Sequence, residues 1–85
     1  MRLDKFLTVS RIIKRRTVAN EACDNGRVTV NGKVAKAGTP IKVGDEVTIA
    51  FGDKVFAFKI LNVQETVKKD EAQEMFEVLE SKMVK

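Results

Sequence analysis

An 85-residue chain that is 44% apolar and 33% charged makes one soluble domain with a modest core, too small for a deep catalytic cavity. It has no histidine, a single cysteine (Cys23) and no glycine-rich loop, which excludes an internal disulfide and removes the usual metal clusters, phosphate loops and general base; no metal, cofactor or catalytic residue is expected. The net charge of +4 is unevenly placed: residues 1–36 hold nine Lys/Arg against three Asp/Glu, residues 37–85 seven against nine, and all five arginines precede residue 28, so the first half suits a polyanion such as RNA or DNA.

In chain order, Leu3, Phe6 and Leu7 fall at i, i+3 and i+4 and predict a short helix from Leu3 to Val9. Arg2, Asp4 and Lys5 stand where a signal peptide would begin its apolar stretch, no run approaches the ~18 apolar residues of a membrane span, and one unpaired thiol fits a reducing compartment. Cytoplasm is the expected location. The chain then passes through Ser10–Ile13 into the run Lys14-Arg15-Arg16. A second helix is predicted from Arg16 to Asp24, with Val18, Ala19, Ala22 and Cys23 as a narrow apolar stripe and Asn25-Gly26 as its stop. On that stripe Cys23 is a small buried side chain rather than a reactive thiol.

Beyond Gly26 the period drops to two. Val28 and Val30 alternate with Arg27 and Thr29, Asn31-Gly32 supplies a hairpin turn, and Val34 resumes the pattern. Gly38-Thr39-Pro40 marks a loop and Val43-Gly44-Asp45 a turn. Glu46–Phe51 and Val55–Ile60 then form two strands joined at Gly52-Asp53, with Val47, Ile49 and Phe51 on one face. From Lys68 to Met83, the residues Ala72, Met75, Phe76, Leu79 and Met83 recur at helical spacing and predict an amphipathic helix, packed on the sheet or against a partner. The expected fold class is therefore α+β: an N-terminal αα hairpin, a small, mostly antiparallel β-sheet and a C-terminal helix. Residues 1–67 would carry the binding function, and residues 68–85 would form the helix on or beside them in a single domain.

The candidate RNA-binding residues are Arg2, Lys5, Arg11, Lys14, Arg15, Arg16 and Arg27, with Lys33 and Lys36 extending the patch beside the Asn31-Gly32 hairpin. Cations are unfavourable next to a helix N-terminus, so the run Lys14-Arg15-Arg16 suggests an anion there in the working complex; a solvated charged turn is the alternative. Asp4, embedded among these cations, either orients Arg2 or a neighbouring arginine through a charge-assisted hydrogen bond or caps the helix start. Phe6 is the only ring in the cationic half and lies on an apolar stripe. Stacking platforms for single-stranded bases are missing, which leaves RNA shape, phosphates and 2′-hydroxyls to be recognised.

Arg2-Leu3-Asp4 with Leu7, Arg11, the pair Arg16 and Ala19, Gly26-x-Val28-x-Val30-Asn31-Gly32, and Val43-Gly44-Asp45 stand in order within residues 1–47. That run resembles the RNA-binding domain named after ribosomal protein S4. One position departs from the commonest pattern, since Arg15 stands where a serine often precedes the motif arginine, removing a serine cap and adding charge. The resemblance implies an αL-motif domain that grips structured RNA through its two-helix face. Among stand-alone members, the stretch from Ser10 to Gly32 is similar to the factors of bacterial ribosome-associated quality control. This implies a non-enzymatic factor on obstructed large ribosomal subunits, with large-subunit ribosomal RNA and P-site tRNA as ligands. It also implies an RqcH-type partner in C-terminal alanine tailing, no membrane, and a monomer off the ribosome. A heat-shock-type factor that recycles such subunits, or an RNA-docking subunit of an RNA-modifying enzyme, is the alternative.

Overall fold

The computed structural model describes residues 1–64, 68 and 70–83. Helix α1 spans Leu3–Val9 and helix α2 spans Arg16–Asp24, where the apolar spacing puts them. Neither has a side-chain cap at its start. The orphan N–H groups of α1 are met from far along the chain instead: Leu3 N–H donates to the Thr39 carbonyl at 2.9 Å and Asp4 N–H to that of Ala37 at 3.1 Å. Arg2 and Pro40 form an isolated antiparallel bridge, so the Ala37–Pro40 segment is fixed across the start of α1.

Both helices end on a left-handed residue. At the end of α2 this is Gly26 (φ 75°), whose N–H donates to the Cys23 carbonyl at 3.1 Å while Arg27 N–H reaches that of Ala22 at 3.0 Å, the paired bonds of a Schellman motif. At the end of α1 it is Arg11 (φ 63°), preceded by Ser10, whose hydroxyl donates to the Phe6 carbonyl at 2.7 Å. A non-glycine residue in that region costs about 1 kcal/mol.

Five strands follow: β1 (Val28–Val30), β2 (Lys33–Val34), β3 (Glu46–Phe51), β4 (Lys54–Ile60) and β5 (Phe76–Met83). They lie in the order β2-β1-β3-β4-β5, every neighbouring pair antiparallel. Asn31 (φ 53°) and Gly32 (φ 85°) both take the positive φ of a type I′ turn, which pairs Val30 with Lys33. The Asn31 side chain donates to Asp45 Oδ1 at 3.2 Å and accepts from Glu46 N–H at 3.0 Å, and Asp45 in turn accepts from Lys42 N–H at 3.0 Å. The two turn motifs, Asn31-Gly32 and Val43-Gly44-Asp45, are thus one hydrogen-bonded unit.

The core combines one face of the sheet with the helix pair. Val47, Ile49, Phe58 and Ile60 share a buried cluster with Leu3, Phe6 and Leu7 of α1 and with Ala19, Ala22 and Cys23 of α2. Small residues on α2 let the two helices approach closely, and Phe6 stacks on Phe58 with ring centroids 6.0 Å apart. Each fully buried large apolar side chain contributes about 1.5–3 kcal/mol. Val18, expected in the α2 stripe, stays 45% exposed instead.

The helix predicted for Lys68–Met83 is corrected by the structure. Ala72–Met75 form a single 3-10 turn, and Phe76–Met83 is the strand β5, paired antiparallel to β4 from Ile60↔Phe76 to Lys54↔Met83. A helix there would leave the outer edge of β4 with a row of unpaired N–H and C=O groups. Pairing satisfies them and brings Phe76 edge-on to Phe58, with centroids 5.5 Å apart. Helical spacing would need Leu79 in the core, but the strand, irregular opposite Ala57/Phe58, leaves it 48% exposed. The expected boundary at 67/68 falls in a stretch of which residues 65–67 and 69 lie outside those described.

Candidate nucleic-acid interface

At the start of α1 a buried carboxylate gathers donors from both helices. Asp4 is 1% exposed. Its Oδ1 accepts from Lys5 N–H at 2.8 Å and lies 3.3 Å from Arg2 Nε; its Oδ2 lies 3.4 Å from each of Arg2 Nη2, Arg16 Nε and Asn20 Nδ2. Burial alone would raise the Asp4 pKa, but the hydrogen bonds of Asn20 and Arg16, the Arg16 charge and the Lys5 N–H outweigh it and hold the group below its ordinary value. The arginine side chains stay open to solvent, 55% exposed for Arg2 and 52% for Arg16. The negative charge is therefore inside and the positive charges outside. Gly38 lies alongside: a Cβ there would be 3.9 Å from the Arg2 guanidinium carbon.

Arg2, Asp4, Arg16, Thr17, Asn20 and Glu21 line a hollow of about 360 Å³. Of the residues singled out from the sequence, the structure brings Arg2, Asp4 and Arg16 together here. Arg11 sits on the left-handed residue after α1, and exposed Lys14 and Arg15 fill the connection to α2, Arg15 with extended backbone just before the helix. Lys5 is half-buried on α1, and Arg27 is exposed just past the end of α2. Among the described residues, Arg11, Lys14, Arg15 and Arg27 have no ion-pair partner, so their charge is unneutralised. Lys33 is exposed on β2, away from the hollow's lining. Lys36 has structural work: its Nζ donates to the Asp24 carbonyl at 3.3 Å, meeting an orphan acceptor at the negative end of α2.

Thr17, Asn20 and Glu21 line the hollow and were not singled out from the sequence. The available signal was spacing, since Asn20 stands four residues after Arg16 and so shares its helix face. No ring lines this hollow. Phe6, Phe56, Phe58 and Phe76 form one continuous cluster within the fold. The Cys23 thiol is buried, its pKa pushed up to about 11 by burial and by the charges of Asp4 and Asp24. No helix among the described residues is long and apolar enough to cross a membrane.

Residues 1–47 match the model of the S4 domain family. The RQC P-site tRNA stabilizing factor of Halalkalibacterium halodurans is 63% identical over 92% of this chain and 89% of its own length. The Streptococcus pneumoniae protein of the same name is 53% identical over 93% of this chain and 90% of its own. Among solved structures, trimeric Vibrio cholerae Heat Shock Protein 15 superposes with a TM-score of 0.84 at 28% identity, covering 92% of this chain and 80% of that one.

Proposed function

The chain belongs to the S4 domain family, and from that premise we propose that it is an RNA-binding factor of ribosome-associated quality control that steadies P-site tRNA on obstructed large ribosomal subunits. In this reading Arg2, Lys5, Arg11, Lys14, Arg15, Arg16 and Arg27 contact phosphates of ribosomal RNA and tRNA, with Lys33 and Lys36 at the margin of the patch. Asp4 orients Arg2 and Arg16. An RqcH-type factor delivers alanyl-tRNA for C-terminal alanine tailing while this protein holds its partner tRNA. It acts as a binder rather than an enzyme, in the cytoplasm, and as a monomer off the ribosome.

The observation that carries the reading is the Asp4 arrangement. Two guanidinium groups are fixed before RNA arrives, so less side-chain freedom is lost on binding. The carboxylate that fixes them is shielded from phosphate by the donors around it. The half-dozen or more cations on this face would release counterions on binding and make affinity steeply salt-dependent. Kinship supports the same reading, through the 63% identity to a protein named for P-site tRNA stabilization. A heat-shock-type recycling role is the second reading, favoured by the TM-score of 0.84 but set back by 28% identity.

Tagged protein purified from cells tests the proposal, with the bound RNA sequenced and Arg16→Ala run in parallel. Large-subunit ribosomal RNA and tRNA without small-subunit RNA, lost in the variant, is the expected result. Protein partners without RNA would overturn it.

A further inference from the structure

A second hollow, of about 240 Å³, opens on α2 beside the first, lined by Val18, Glu21, Ala22, Asn25 and Arg27. Its origin lies in how α2 ends. A Schellman motif folds the residue after the left-handed glycine back against the helix, where an apolar side chain frequently closes over the last turns. Here that residue is Arg27, its N–H on the Ala22 carbonyl at 3.0 Å. Among the described residues no apolar side chain closes over Val18, which stays 45% exposed above buried Ala22. The result is an apolar floor with a polar rim. Among the described residues, the side chains of Glu21, Asn25 and Arg27 have no hydrogen-bond or ion-pair partner.

We propose that this hollow receives one unpaired nucleobase, guanine best of the four, from the RNA held by the adjacent cationic face; the proposal rests on the RNA-binding reading above. A phosphate is a poor occupant because the Glu21 carboxylate repels it. A base has the complementary features: a flat apolar face for Val18 and Ala22, and a ring plane on which the Arg27 guanidinium stacks. Guanine adds adjacent N–H donors that a carboxylate accepts, and N7 and O6 acceptors suited to arginine. Glu21 lines both hollows. Two residues, about 3 Å of rise and about 200° around the helix, separate the Arg16–Asn20 side from the Val18–Ala22 side, with Glu21 between them, so a nucleotide whose phosphate lies on the first side turns its base over Glu21 into the second. Recognition by this domain then includes one base read without an aromatic platform.

The test is a heteronuclear NMR titration of the whole protein with guanosine 5′-monophosphate, adenosine 5′-monophosphate, ribose 5-phosphate and a short RNA hairpin. Guanosine monophosphate should shift the Val18 methyl and Asn25 side-chain amide resonances and bind about fivefold or more tightly than ribose 5-phosphate. Glu21→Ala, an exposed substitution, should remove the preference for guanine over adenine. Equal shifts from ribose 5-phosphate overturn the base pocket. So does silence at Val18 and Asn25 while the hairpin still moves Arg2 and Arg16, and in both cases RNA binding itself stands. A hairpin that moves neither set overturns the RNA-binding reading instead, and this proposal with it.

Discussion

At the scale of single residues, Asp4 links stability to pH. Its carboxylate is held below its ordinary pKa even though burial pushes the other way. The unfolded chain therefore takes up the proton more readily than the folded one. The stability linked to Asp4 is complete at neutral pH and is lost as pH falls from about 4 downward. Replacing Asp4 by Asn should cost about 1–2 kcal/mol at pH 7, because the Lys5 and Asn20 donors lose a charged acceptor. Urea unfolding at pH 7 and pH 3 checks the sign: the gap between parent and variant should narrow at the lower pH, and a constant gap would assign the cost to packing. Arg11 makes the opposite demand. Its left-handed backbone would suit glycine better, so Arg11→Gly should leave stability unchanged or raise it by about 0.5–1 kcal/mol, while RNA affinity falls. A variant that loses both would mean that the Arg11 side chain supports the fold.

At the scale of elements, much was legible because local chemistry and tertiary packing agree. The i, i+3, i+4 spacing of Leu3, Phe6 and Leu7 gives α1, Gly26 ends α2, and Asn31-Gly32 fixes the register of β1 on β2. The C-terminal segment was not legible. Ala72, Met75 and Phe76 suit a helix face and equally a turn leading into a strand, and only the open edge of β4 decides between them. The segment is consequently part of the core rather than an appendage. Phe76→Ala should cost about 2–3 kcal/mol by removing a ring packed on Phe56 and Phe58; a loss below ~0.5 kcal/mol in urea unfolding would show that β5 adds little. In the candidate site, charge pattern alone pointed to Arg2, Asp4 and Arg16. It could not show that Asn20 joins them across the helix pair, nor that Lys36 is turned to the end of α2, because both depend on how α2 sits against its neighbours.

At the scale of the whole molecule, the fold sorts charge by position. The arginines lie on or beside the αα hairpin, whereas the β4–β5 end carries exposed Glu74, Glu77 and Glu80 together with exposed Lys54 and Lys59. An RNA surface should approach the first end rather than the second. The most direct test of the central claim is equilibrium binding of the purified protein to isolated large ribosomal subunits carrying peptidyl-tRNA, measured across a range of salt for the parent and for Arg16→Ala. If the helix-pair face neutralises about 6 to 8 phosphates, affinity should fall by roughly 10³ or more between 50 and 200 mM salt. The variant should then bind more weakly throughout, with a log–log slope shallower by about one. A flat salt dependence, or an Arg16→Ala protein that binds as tightly as its parent at physiological salt, would contradict the account.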